Sequence, residues 1–361
     1  MGSVTRMHRL PRPPVLAAVA MLSTSVLTVS LLAAPAEAAP RKTRLSGTPS
    51  VDVATPGGAV AMSGTVKDKG KQKRTVVLEQ KIASGWRKVD KVRSSRSGAY
   101  AITVPTDWFY STKLRTRVVK TRKFRGDTSR AHRMSVVPAY VPLGSPSSWA
   151  PLSRYGERFN PCRTVTYGIN TSRATPDAAT VSAGIQNTMA LVSQATGVRF
   201  RFKGETSAMP FDRRFKGKDP QLVFAFTTDA DTKLDLGPTV AARGGSDRTR
   251  WARNARGKRI LQTIHGGVIY DLDDTATMTA AQFQQLTLHE VGHAMGLGHV
   301  GPTDQYMTAG AELYDLPLSY QAGDLNGLSK VGLQAGCIRP LRSRGKAVLG
   351  RLPVPVATTL D

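Results

Sequence analysis

The sequence predicts a multidomain chain of mixed class: an all-β sandwich, then an α/β domain whose twisted mixed sheet packs on one central helix. Three observations predict it. Between Val60 and Val137, apolar residues alternate with polar or charged ones in short runs, broken by turn residues about every 8 to 12 positions. Proline and glycine then crowd together at Pro138, Pro142, Gly144, Pro146 and Pro151, a density that interrupts helix and strand alike. Beyond that break, strand-like runs alternate with helical periods. With 361 residues, 40% of them hydrophobic, the chain is long enough to bury two cores.

Residues 1–38 differ from the rest. Arg6, Arg9 and Arg12 precede an apolar run from Val15 to Ala34, and Ala36-Glu37-Ala38 supplies a small-x-small cleavage pattern, so the segment reads as a secretory signal peptide. A retained membrane anchor is the rival reading. Against it, the run contains Ser and Thr, ends at Pro35 and has no basic stop-transfer flank; no other segment is apolar enough to span a bilayer. The expected location is extracellular, with association to a cell wall.

A short N-terminal segment, 39–58, leads into the sandwich at 59–138. Strands are expected at 59–66, 75–82, 86–93, 99–104, 113–120 and 132–137. Ser63-Gly64-Thr65-Val66, the run from Val76 to Lys81, and Gly85-Trp86-Arg87-Lys88-Val89 resemble the immunoglobulin-like modules of secreted actinobacterial proteins. Residues 139–150 are the linker. The α/β domain is placed at 151–340, with a strand at 163–169 and an amphipathic helix at 176–196. That helix aligns Ala179, Val181, Ile185, Met189 and Val192 and stops at Gly197. Further strands are expected at 198–202, 222–226 and 267–271, with a short edge strand at 239–242. Residues 341–361 are read as a basic, flexible tail.

The chain has two cysteines, Cys162 and Cys337, near the ends of the second domain. In an oxidising compartment their even count favours one disulfide tying those ends together, ahead of a catalytic or metal-ligating Cys162. The net charge of +26 is uneven: residues 41–145 carry 23 Lys and Arg against 6 Asp and Glu, and residues 146–340 carry 21 against 17. The basic N-terminal part suits adhesion to an anionic cell-wall polymer, polysaccharide or membrane surface, with solubility as the plainer explanation. No nucleic-acid recognition motif is present.

The chemistry concentrates at His289-Glu290-Val291-Gly292-His293-Ala294-Met295-Gly296-Leu297-Gly298-His299. A helix is expected from Thr279, where Thr279 and Gln282 fit a capping box, to Met295. Four-residue spacing puts His289 and His293 on one helix face, so both rings can reach one ion. Gly296 permits the sharp turn, with positive φ, that brings His299 back as a third nitrogen ligand. Three protein ligands leave a position for water, and Glu290 beside them is placed to take its proton.

This pattern resembles the metzincin clan of zinc proteases, HExxHxxGxxH followed by a Met-turn, at every fixed position from His289 to His299. Met307 lies eight residues after the last ligand, the matrixin spacing, and Leu318-Ser319 with the run from Asp324 to Leu328 is similar to the closing matrixin helix. The resemblance covers roughly residues 150–338. It implies one catalytic Zn2+ on His289, His293 and His299, Glu290 as general base, Met307 as an apolar floor, and a secreted endopeptidase acting on extended polypeptides. Val300 departs from the usual serine or threonine, and Pro161-Cys162-Arg163 is no cysteine switch. His299 in place of aspartate separates the chain from the snapalysins.

Alternatives stand beside these readings. His265 is expected as an ordinary strand histidine rather than a fourth ligand. Asp271, Asp273 and Asp274 cluster oxygens suitable for Ca2+, but a solvated turn is the preferred reading and structural calcium is unsupported. The alternative function is a zinc-retaining, catalytically weak adhesion protein that attaches through the basic sandwich. The edge strand at 239–242 is expected to accept substrate by strand addition.

Overall fold

A computed structural model describes residues 39–341 apart from 71, 176, 212–216, 233, 235, 238–239 and 311–313, together with the backbone of 356–359. The expected signal peptide lies outside the described residues. From Arg44 to Val136 the regular elements are strands. One sheet is centred on β1 (Ala61–Lys67), and β2 (Thr75–Ile82) and β3 (Gly85–Arg93) belong to a second. Then β4 (Ala99–Thr103) pairs β1, while β5 (Tyr110–Val118) and β6 (His132–Val136) complete the order β6-β5-β2-β3. The alternation read from the sequence is what the faces require. Val76, Leu78, Tyr100, Ile102, Leu114, Val118, Met134 and Val136 all point into one core.

The second half is mixed α/β. Strands β7 (Val165–Ile169), β8 (Phe200–Glu205), β9 (Leu222–Thr227), β10 (Val240–Arg253) and β11 (Arg259–Asp271) form a sheet in the order β8-β7-β9-β11-β10. The first four of that order run parallel; β10 is antiparallel to β11 and lies toward the edge. Helices α1 (Ala178–Thr196), α2 (Ala280–Met295) and α3 (Ala322–Val331) pack with this sheet. Asp177 caps α1 by accepting from the Thr180 amide, and Gly197 ends it in the left-handed region at φ 68°. Val181, Ile185, Met189 and Val192 are buried as expected, whereas Ala179, in the first turn, is exposed. Within the core Phe226, Tyr270 and Phe283 stack, with centroids 4.9 to 6.0 Å apart, tying α2 to the parallel strands.

Residues 139–150 are largely exposed but are tied down at three points by hydrogen bonds to 320–326. The Tyr140 hydroxyl donates to Tyr320 O at 2.7 Å, the Leu143 amide donates to the Gln321 side chain at 2.8 Å, and Asn326 Nδ2 donates to Pro146 O at 2.6 Å. The two cores also touch, because Leu333 joins the sandwich core and the Phe109 amide donates to Gln194 O at 2.8 Å. Cys162 and Cys337 form a disulfide at a sequence separation of 175. Closing a loop of that length stabilises the fold by about 5 kcal/mol on the chain-entropy account.

Two expectations are corrected. The edge strand at 239–242 is the start of a long hairpin: β10 runs from Val240 to Arg253, and Thr239 lies outside the described residues. The C-terminal region is not wholly a tail, because β12 (Val356–Thr359) pairs antiparallel with β10 from Gly244 back to Val240.

Candidate metal centre

Helix α2 forms where the sequence signals it. Thr279 Oγ1 accepts from the Gln282 amide at 3.2 Å, and Gln282 Oε1 accepts from the Thr279 amide at 2.9 Å, closing a capping box. Every residue from Gln285 to Met295 is buried, so the second half of the helix is enclosed on all sides. Gly296 ends it at φ 107°, a conformation L side chains rarely adopt. A Cβ on Gly296 would also lie 2.0 Å from Glu157 O, so glycine is required twice over.

The turn at Gly296 carries the chain back to His299. Its geometry is fixed from the other side, since the Leu152 amide donates to Gly296 O at 2.8 Å and 150–151 pair with Leu297–Gly298. The result brings three imidazoles together. His289 Nε2 and His293 Nε2 are 2.9 Å apart, His293 Nε2 and His299 Nε2 3.0 Å, and His289 Nε2 and His299 Nε2 3.2 Å. Tetrahedral ligands at 2.0–2.1 Å stand about 3.4 Å from one another, so the triangle fits one ion with slight opening.

The protonation pattern makes the same point. His289 Nδ1 faces Tyr306 O at 2.5 Å and His293 Nδ1 faces Leu297 O at 2.8 Å. Only an N–H can satisfy a carbonyl, so both rings carry their proton on Nδ1 and present a bare lone pair at Nε2. Burial pushes His289 down to about 3, and the neighbouring His299 adds to this. Burial likewise lowers His293, well below its usual value, and His299. Neutral imidazoles whose lone pairs converge within about 3 Å repel one another unless a cation lies between them. These three residues form a group that can hold a metal ion.

Glu290 is fully buried on the turn that carries His289. Strand β10 lies flat against it, and a Cβ on Gly244 would meet Glu290 O at 2.2 Å and Glu290 Oε2 at 2.8 Å. Met307 is buried under α2, where a Cβ on Gly292 would meet its sulfur at 2.3 Å. The Val300 amide donates to Met307 O at 2.8 Å, closing the turn between the third histidine and Met307.

The roles of several residues escaped the sequence reading. Asp324, on α3, accepts from the amides of Tyr306 at 2.8 Å, Met307 at 3.3 Å and Gln321 at 3.1 Å. It thereby holds the segment whose Tyr306 carbonyl orients His289. Burial pushes its carboxyl up to about 6, against the lowering effect of those amides. Gln305 Oε1 accepts from the amides of Gly323 and Asp324 at 2.7 and 3.2 Å, and the Tyr320 hydroxyl donates to Leu288 O at 2.8 Å. An acidic residue in the first turn of a helix is an ordinary dipole-matching choice, so Asp324 carried no distinctive signal. Gly292 and Gly244 are legible only once a partner surface is known.

The remaining candidates sit elsewhere. His265 is buried in β11, paired across the hairpin with Arg248, and is not part of the trio. Asp271 caps the short helix Leu272–Ala276 by accepting from the amides of Asp273 and Asp274 at 2.9 and 3.1 Å. The chain matches no known protein family and no curated protein.

Proposed function

We propose that the chain is a secreted zinc-dependent endopeptidase of the metzincin type, with a matrixin-like catalytic domain at 151–340 and an immunoglobulin-like module at 59–138. One observation carries the reading: three imidazoles, two of them buried with tautomers set by backbone carbonyls and the third half-buried, bring their Nε2 atoms to one point, next to a buried glutamate. Three neutral nitrogen donors suit Zn2+ and leave a position open, whereas closed structural sites take four protein ligands. A zinc ion held there would lower the pKa of a bound water to near 7, about 9 units below bulk water, and would polarise a peptide carbonyl.

The chain's residues do the rest. Glu290 takes the proton of the attacking water and returns it to the leaving amine, the step that lets C–N cleavage proceed at neutral pH. His289 and His293 stay oriented by Tyr306 O and Leu297 O, and Asp324 keeps the Tyr306 segment in place. Strand β10, packed on the helix that carries Glu290 and paired at its outer edge with 356–359, presents the edge that an extended peptide would take in their place.

Glu290→Gln tests this reading. The variant retains zinc and its thermal stability, and casein hydrolysis falls by at least a thousandfold; casein cleaved at the wild-type rate would refute the role of Glu290.

A second reading concerns attachment. Outward from β5, β2 and β3, Arg115 lies over the Trp86 ring at 4.0 Å and Lys81 at 5.5 Å, with Lys113 and Arg133 exposed on neighbouring strands. Glu79 pairs with Arg115 and Arg117 at 2.9 and 2.6 Å, offsetting part of that charge. The remaining cations support adhesion of the enzyme to an anionic cell-wall polymer.

A further inference from the structure

The edge of β10 beside Glu290 is already occupied by the chain itself. Residues Val356–Thr359 run antiparallel to β10, with Val356 opposite Gly244, Ala357 opposite Arg243, Thr358 opposite Ala242 and Thr359 opposite Val240. Gly244 is the position whose missing Cβ lets the strand lie against Glu290. The N-terminal end of the paired segment therefore passes one strand spacing, about 4.8 Å, from the strand position that touches the candidate base.

The path of the chain makes this an easy contact to form. Arg339 and Pro340 pair with Arg253 and Ala252 on the same edge of β10, also antiparallel. From Ala252 back to Gly244 is eight residues of strand, about 27 Å. The sixteen residues from Pro340 to Val356 can span up to roughly 55 Å. The C-terminal segment rejoins the edge it left, in the same direction, with slack to spare. Its composition suits the role, because Val356, Thr358 and Thr359 are β-branched, while Pro353 and Pro355 just before them have no N–H.

We infer that residues 356–359 are an intramolecular peptide ligand of the β10 edge, occupying the groove in which an extended substrate would lie and holding the enzyme in a closed state until displaced. This rests on the protease reading for its consequence, and on the strand pairing alone for the occupancy. A tether of this length gives an effective concentration on the order of 1 mM. If the free peptide binds with a Kd of about 0.1 mM, the segment is docked about ten times as often as not. Substrate then competes for the remaining tenth.

The test uses the full chain and the double variant Ala357→Pro/Thr358→Pro, which removes two amides from the pairing segment. Two readouts are taken: hydrogen exchange at the amides of 241–244, and kcat/KM on a short unstructured peptide. Exchange at 241–244 at least tenfold faster in the variant, with kcat/KM up about tenfold, is the expected result. A synthetic peptide covering 350–361, added to the variant, should restore protection and inhibit competitively. Unchanged exchange overturns the occupancy. Faster exchange with unchanged kcat/KM overturns the blocking role. If no form of the chain hydrolyses peptides, the protease reading fails, and exchange still decides whether the edge is occupied.

Discussion

Replacing Gly296 by alanine strikes the turn on which the third ligand depends. The residue sits at φ 107°, and its Cβ would lie 2.0 Å from Glu157 O. A carbon and a carbonyl oxygen need about 3.3 Å, so the two backbones must separate by more than 1 Å or so. Left-handed backbone on an L residue costs about 1–2 kcal/mol, and forcing an extra methyl into packed surroundings costs about 1–3 kcal/mol, which gives a total of roughly 2–5 kcal/mol. For a domain of this size the melting temperature falls by on the order of 10 °C. The same movement shifts Leu297 O, the acceptor for His293, and the path to His299. Apparent zinc affinity should therefore drop by more than tenfold. Differential scanning calorimetry with and without zinc measures both effects, with Gly301→Ala as the control because nothing lies within 4 Å of a Cβ there. A Gly296→Ala chain melting within 2 °C or so of wild type and binding zinc equally well would refute the reasoning.

Asp324→Ala leaves the amides of Tyr306 and Met307 buried without their acceptor, so stability should fall by about 2–5 kcal/mol in urea unfolding, and zinc affinity by about 10- to 100-fold in a competitive chelator titration. Burial pushes the Glu157 carboxyl up to about 7, so the folded chain holds this proton more tightly than the unfolded chain does. That contribution is present below about pH 4 and lost as the pH rises through about 7; Glu157→Gln should gain on wild type by about 3 kcal/mol between those limits in unfolding titrations. On the sandwich face, changing Lys81, Lys113 and Arg133 to Glu together should abolish retention on a polyphosphate matrix at low salt while leaving peptide hydrolysis unchanged, read by salt elution and a peptide assay.

What could be read from the sequence was whatever local chemistry determines. The capping box at Thr279, the histidine spacing and the need for glycine at 296 are properties of one helix and its end, and the helix starts and stops within one residue of expectation. The sandwich strands follow from alternation, since one face had to be buried. The hairpin of β10 and β11 was not legible at its full length. Gly244, Gly245, Asp247 and four arginines in β10 break any apolar period, and the strand is held by pairing with β11 and by contact with α2 rather than by its own propensity. Nor was the strap at 139–150: its prolines correctly exclude regular structure, but its side-chain and backbone bonds to α3 come from partners some 180 residues away. Asp324 and the docking of 356–359 belong to the same class, being contacts set by tertiary packing.

His289, His293 and His299 are proposed to form a single zinc site. Native mass spectrometry of the metal-free chain titrated with zinc tests it most directly. One tightly bound ion per chain is expected, kept by Glu290→Gln and lost in His293→Ala. A wild-type chain that binds no zinc, or a His293→Ala chain that binds it as tightly as wild type, would contradict it.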